Sequence, residues 1–168
     1  MRRMNRALTP AERSAASERI AAAAERLPAF GRARTVALFC SLADEPDTGA
    51  VLRRWSDAKR LAVPRVEGET MRFCRYDPAA MRPGAFGIEE PGPEAETCDP
   101  AEIDLVLVPG VAFSPDGRRL GRGRGYYDRY LAQAGVRAVK IGVCFAHQLT
   151  EEVPAEPHDV RMDGVIAG

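Results

Sequence analysis

Lysine is nearly absent from this chain of 168 residues: the 24 basic residues are 22 arginines and two lysines. Together with abundant alanine this reads as codon bias, so no arginine is singled out by its type alone. Charge of one sign is also missing. Asp and Glu number 24 and the formal net charge is zero, whereas a bulk polyanion binder is normally basic over its whole surface. Histidine is scarce, with two residues, and the four cysteines (Cys40, Cys74, Cys98 and Cys144) form no CxxC pair. That pattern argues against a zinc site. Three of the four cysteines lie in apolar or strand-like runs, as small buried hydrophobes in a reducing cytoplasm do. "MRRMNR" opens with basic residues, but no apolar segment follows, and no run of about 18 apolar residues occurs anywhere. A soluble, cytoplasmic protein is expected. Internal repeats and dividing linkers are lacking too, so residues 1–168 are read as a single domain.

What is present alternates strand and helix signals. Thr9-Pro10-Ala11-Glu12 has the form of a capping box with proline at the first helical position. Ala16, Ile20, Ala23, Ala24 and Leu27 then follow at helical spacing. "TVALFC" (35–40) reads as a buried strand, and Thr48 as the cap of a helix through Val51, Leu52 and Trp55. "RLAVPRV" and "MRFCRY" read as strands, with the proline marking an end or an edge. The Pro-, Gly- and acid-rich stretch from Pro78 to Pro100 reads as loop with at most one short element. "IDLVLVPG" (103–110) is apolar at nearly every position and predicts a strand buried on both faces. "YYDRYLAQAG" predicts a helix to Gly135, "AVKIGVCF" another buried strand and "GVIA" a last short one. Such alternation implies an α/β fold, a three-layer α/β/α domain with a mostly parallel sheet.

Charge is uneven along the chain. Residues 118–129 carry five arginines and one aspartate, and residues 89–104 carry seven acidic residues and no basic one. The basic stretch contains "LGRGRGYYD", in which Gly121, Gly123 and Gly125 alternate with Arg122 and Arg124. A Walker A loop is excluded because no Lys-Ser/Thr follows, and the dinucleotide fingerprint fails on glycine spacing. Glycines that allow close backbone approach, a helix start and bidentate arginine donors fit an anion such as phosphate. A solvated basic turn and an RNA-binding Arg-Gly segment are the alternatives. The second usually repeats within disordered tails, whereas this run occurs once between strong strand and helix signals.

"LVPGVAFSPDGRRLGRGRGYYDRYL" resembles the signature of the 5-formyltetrahydrofolate cyclo-ligase family. "FCSLADEPDT", "MRFCRY", "GIEEP", "HQL" and "HDVRMDGVI" follow in that family's order, from about Arg6 onward. The resemblance implies a fold similar to the NagB/RpiA/CoA-transferase group. It also implies ATP- and Mg²⁺-dependent conversion of 5-formyltetrahydrofolate to 5,10-methenyltetrahydrofolate, with small-molecule folate and no nucleic acid or membrane as partner. A monomer is expected. The runner-up is a non-catalytic nucleotide- or folate-binding protein of the same fold.

The resemblance further implies site residues. Arg119 and Arg124 are the catalytic cations. Arg119, Gly121, Arg122, Gly123, Arg124, Gly125, Tyr126, Tyr127 and Asp128 surround ATP. Cys40 and Glu45 line the folate site together with Arg124, Gly125, Tyr126 and Tyr127, while Asp128 and Asp159 hold Mg²⁺. Two departures stand out. Ser114 replaces the family's usual aspartate, with Asp116 as the candidate to compensate. Only "MRRMN" precedes "RALTPAER", where the family contributes a lysine and an arginine to the ATP site. Either the start lies later than the family's, or Arg2 and Arg3 stand in.

Overall fold

Apolar side chains alternating along the central strands create a sheet with two faces to cover, and helices cover both. A computed structural model of the chain describes residues 1–168. Helix α1 (Arg2–Ala7) leads into α2 (Pro10–Glu25), α3 (Pro28–Arg32), strand β1 (Thr35–Ala37) and α4 (Gly49–Trp55). Strands β2 (Arg60–Glu67), β3 (Thr70–Arg75), β4 (Met81–Pro83), β5 (Glu89–Pro91) and β6 (Leu105–Pro109) follow. The chain ends through β7 (Ala112–Phe113), β8 (Arg119–Leu120), α5 (Tyr126–Leu131), β9 (Val139–Cys144) and β10 (Gly164–Ala167).

Six strands form one sheet in the order β10-β9-β6-β1-β2-β3. All neighbours are parallel except the β2–β3 hairpin at one edge. Along β6, Leu105 and Leu107 point into one core with Ile20 and Ala24 of α2 and Trp55 of α4. Val106 and Val108 point into the other, with Phe73, Phe113 and Tyr130 and Leu131 of α5. This is the expected three-layer α/β arrangement, and each fully buried Leu or Val contributes about 1.5–3 kcal/mol.

Local signals hold where local chemistry decides. The Thr9 hydroxyl oxygen accepts the Glu12 N–H at 3.2 Å, and a Glu12 carboxylate oxygen accepts the Thr9 N–H at 2.8 Å, closing the capping box. Pro64 sits past the three β2 residues paired with β1, Arg60 to Ala62, so its missing N–H interrupts no ladder on that side.

Elsewhere packing overrides the reading. Thr48 does not cap α4 with its side chain; its hydroxyl donates to the Phe39 carbonyl at 2.6 Å and is buried. Helix α5 stops at Leu131, four residues short of Gly135. Tyr130 and Leu131 are its buried residues, and residues 132–135 beyond them are all exposed, with no core contact to hold a further turn. Residues 78–100 hold more than one short element, since β4 and β5 pair as an antiparallel hairpin. Helix α1, which the sequence did not announce, is held by a single buried residue, Asn5.

The order of the sheet points to a site. From β1 the chain moves to β2 on one side, and from β6 to β9 on the other, although β1 and β6 are themselves paired. Loops leaving the carboxyl ends of β1 and β6 therefore diverge over a crevice, where ligands bind in open α/β sheets.

Candidate active site

The two loops at that crevice are the acidic segment 41–48 after β1 and the glycine segment after β6. The Phe113 ring seats the second of these, lying against Gly142 of β9 so closely that a Cβ there would collide with it. Gln148, buried, receives the Phe145 N–H at 2.8 Å and donates to the carbonyls of Gly110 and Val111 at 2.9 Å each. Ser114 is fully buried; its hydroxyl takes the Arg118 N–H at 3.0 Å and donates to Asp116, whose other oxygen lies 3.3 Å from Arg161. Serine and Asp116 thus act as a unit in this turn.

Arg119 folds back over the end of β6, its Nε donating to the Pro109 carbonyl at 2.7 Å. Its guanidinium stands 3.7 Å from Asp128 and 5.2 Å above the Tyr127 ring, with the side chain only 7% exposed. Burial pulls its pKa down, opposed by the charge of Asp128. Gly121 leaves room beside it, since a Cβ there would lie 3.2 Å from both terminal nitrogens of Arg119 and press on them. Gly123 and Gly125 take left-handed dihedrals, with φ of 89° and 70°, which turn the loop into the start of α5. That helix has only six residues, so side-chain cations rather than a long dipole supply most of the positive field.

Asp44 and Glu45 face this loop from the other side. Their carboxylates are 6% and 7% exposed, an expensive placement without partners. Arg122 meets both. Its Nη2 and Nη1 bind the two oxygens of Asp44 at 2.7 and 3.3 Å, while Nε and Nη2 approach one oxygen of Glu45 at 3.2 and 3.1 Å. The second Glu45 oxygen accepts the Leu42 N–H at 2.9 Å. Burial pushes the Asp44 carboxyl up, but Arg122 and Arg2 outweigh it and hold the group below its ordinary value. For Glu45 burial wins over Leu42 and Arg122, and its pKa is raised. The two adjacent carboxylates therefore shift in opposite directions, because burial outweighs Arg122 at Glu45 but not at Asp44, which Arg2 also approaches.

Of the expected site residues, the structure brings Arg119, Gly121, Arg122, Tyr127, Asp128 and Glu45 together at the crevice. Tyr127 lies between the halves, its phenol pushed up by burial and by the charge of Glu45. Arg124 is exposed and stands 5.8 Å over the ring of Phe86, itself 55% exposed and the only non-glycine residue with positive φ. Tyr126 departs from the group, since its hydroxyl donates to the Gly68 carbonyl at 3.1 Å at the β2–β3 turn. The Cys40 thiol is pushed up to about 12, mainly by burial and then by Glu89 and Glu90, so it stays neutral; it packs against the core that holds Ile20 and Trp55. Asp128 accepts the Val160 N–H at 3.2 Å, which draws the chain next to Asp159 alongside it. Asp159 in turn accepts the Glu156 N–H at 2.6 Å. Arg2 lies 3.5 Å from Asp44 at the edge of the cluster.

Comparison with known proteins identifies the family. The model of the 5-formyltetrahydrofolate cyclo-ligase family matches residues 1–168. The chain belongs to that family. A 5-formyltetrahydrofolate cyclo-ligase of Mycolicibacterium smegmatis is 36% identical over 143 residues, covering 79% of this chain and 73% of the relative. The Escherichia coli K12 enzyme of the same name is 30% identical over 99% of this chain and 95% of its own. Among solved structures, the 5,10-methenyltetrahydrofolate synthetase of Aquifex aeolicus superposes with a TM-score of 0.87 at 36% identity, covering 98% of this chain and 84% of that one. The Mycoplasma pneumoniae synthetase gives 0.77 at 27% identity, over 98% and 92%. No helix of the cyclo-ligase fold seen here is long and apolar enough to cross a membrane.

Asp44 and Phe86 were not singled out from the sequence. The adjacent acids "DE" in a loop after a strand were the available signal for Asp44. Phe86 had none, lying in a stretch read as plain loop.

Proposed function

We propose that this chain is a 5-formyltetrahydrofolate cyclo-ligase that uses ATP to close 5-formyltetrahydrofolate to 5,10-methenyltetrahydrofolate, releasing ADP and phosphate. One observation carries the assignment of roles: at the switch point of the sheet, a glycine loop bearing cations faces a nearly buried carboxylate, Glu45, across Arg122. The first side suits a triphosphate and the second the polar N–H edge of a pterin.

The chemistry asks for both. An N5-formyl group is amide-like and a weak electrophile, and its oxygen is a poor leaving group. Transfer of the γ-phosphoryl to the formyl oxygen breaks the bond to ADP and turns that oxygen into a phosphate ester. N10 then attacks the formyl carbon and loses its proton, and phosphate departs with the carbon–oxygen bond. The protein's part is positioning and charge neutralisation. Arg119, fixed by Pro109 and Asp128, presents a preorganised cation, and exposed Arg124 is free to follow the transferring phosphoryl. Glu45 orients the folate, with Tyr127 and Cys40 excluding water beside it. Asp128 and Asp159 keep unused carboxylate lone pairs next to the glycine loop, and such hard oxygen donors fit Mg²⁺, which when bound would neutralise phosphate charge. A monomeric, cytoplasmic enzyme of one domain is part of this proposal.

Mixing the protein with 5-formyltetrahydrofolate, ATP and Mg²⁺ while following methenyl absorbance tests the reading. Product that requires all three supports it. ATP binding without consumption favours a binding protein of the same fold, and no response to either small molecule removes the reading.

A further inference from the structure

The glycine loop has little of its own to hold it. Gly123 borders open space, Arg124 is exposed, and Arg122 stands between two glycines. Its firm attachment to the opposite wall is through Arg122, 78 residues from Asp44 and 77 from Glu45. Within that attachment the two carboxylates differ. Asp44 takes the parallel two-nitrogen bond, the geometry in which a guanidinium fork is oriented as well as attracted. Glu45 receives the remaining edge of the fork on a single oxygen.

Asp44 is itself braced from behind. Its backbone carbonyl accepts from Asn5 Nδ2 at 2.9 Å, and Asn5 Oδ1 lies 2.5 Å from His147 Nε2. Arg13 reaches the same loop through the carbonyls of Glu45 at 2.8 Å and Leu42 at 3.1 Å. A carboxylate this buried and this firmly held on its backbone side acts as a fixed post, and Arg122 is what it fixes.

We propose that Asp44 is a positioning residue for the reaction: through its two-point bond to Arg122 it ties the glycine loop to the loop carrying Glu45 and sets the spacing of the phosphate and folate sites. The role assigned to those two sites rests on the proposed function; the tie itself does not. Asp44 touches neither substrate in this account and acts through Arg122; its other cations, Arg2 at 3.5 Å and Arg6 at 3.9 Å, lie on the exposed rim.

The test is a double-mutant cycle with two readouts. Asp44→Asn keeps shape but presents an amide N–H to a guanidinium, so kcat/KM for ATP should fall about tenfold to a hundredfold, the range of a lost charge-assisted hydrogen bond. In an Arg122→Ala background the same change should add less than about twofold, because the residue it acts through is gone. Amide hydrogen exchange of the peptide 119–126 should quicken about tenfold in Asp44→Asn, with the β1 and β6 peptides unchanged. Equal losses in both backgrounds, or an unaltered 119–126 peptide, overturn the proposal, as does quickening spread through the sheet, which marks a merely structural residue. If Asp44→Asn does not fold, Arg122→Lys makes the comparison from the other side. It keeps the charge without the fork, and parental exchange and KM in that variant likewise overturn the tie. Should the parent make no methenyl product, the functional reading fails while the exchange arm still decides on Asp44.

Discussion

The two walls of the crevice are built on opposite plans. On the β1 side Asp44 and Glu45 are buried, tied to Arg122 and braced from behind by Asn5 and Arg13 before any ligand arrives. On the β6 side the glycine loop leaves Arg124 in solvent, turns through two left-handed glycines and rests on one buried cation, Arg119. Under the proposed assignment of the walls to folate and triphosphate, the contrast matches the demands of the two substrates. A rigid pterin edge is best met by acceptors already in place, whereas a phosphoryl group that changes charge and position needs donors that can follow it.

The sharpest test of that contrast exchanges a rigid cation for a mobile one. Arg119→Ala should abolish most activity and also lower the melting temperature by about 5–10 °C, since the Pro109 carbonyl and Asp128 lose a buried partner. Arg124→Ala should cut kcat/KM for ATP about tenfold to a hundredfold through both kcat and KM while the melting temperature stays within about 1 °C. Equal thermal effects in the two variants would erase the distinction between the arginines. Steady-state kinetics and a thermal melt on each variant read both.

Glu45→Gln should raise KM for the folate about tenfold and leave KM for ATP nearly untouched, as a hydrogen bond on the preformed wall requires. The same variant carries a pH signature. The folded-state pKa of Glu45 is raised above its ordinary 4.5 by burial, so its contribution is most favourable at low pH and is lost as pH rises through the folded value. The melting temperature of Glu45→Gln relative to the parent should therefore climb from pH 4.5 upward. Asp44, held low by Arg122, behaves oppositely and loses stability only as pH falls below 3.8. A flat difference for Glu45→Gln across that range contradicts the assignment.

The smallest effect is expected at the rim. Arg2 meets Asp44 at 3.5 Å but is half-exposed, and Arg3 is exposed. Changing both to alanine should alter kcat/KM by less than about fivefold, the usual range for a solvent-screened pair. A tenfold or larger rise in KM for ATP would instead show that these arginines supply cations to the triphosphate.

Much of this protein is written locally in its sequence. The capping box of α2 depends on residues three apart, and the apolar run of β6 required a strand covered on both faces. "GRGRG" placed flexible turns and cations together whatever the surroundings. Tertiary structure alone decided which cation meets which carboxylate, because Arg122 finds Asp44 and Glu45 only when β1 and β6 lie side by side. The same long-range packing turned the Thr48 hydroxyl from a helix cap to the Phe39 carbonyl, sent Tyr126 to the β2–β3 turn and ended α5 where the core ended. Residues three or four apart meet through backbone geometry that the sequence encodes directly. Residues 77 apart meet only through the strand order, which is set by the burial of both faces of the sheet at once.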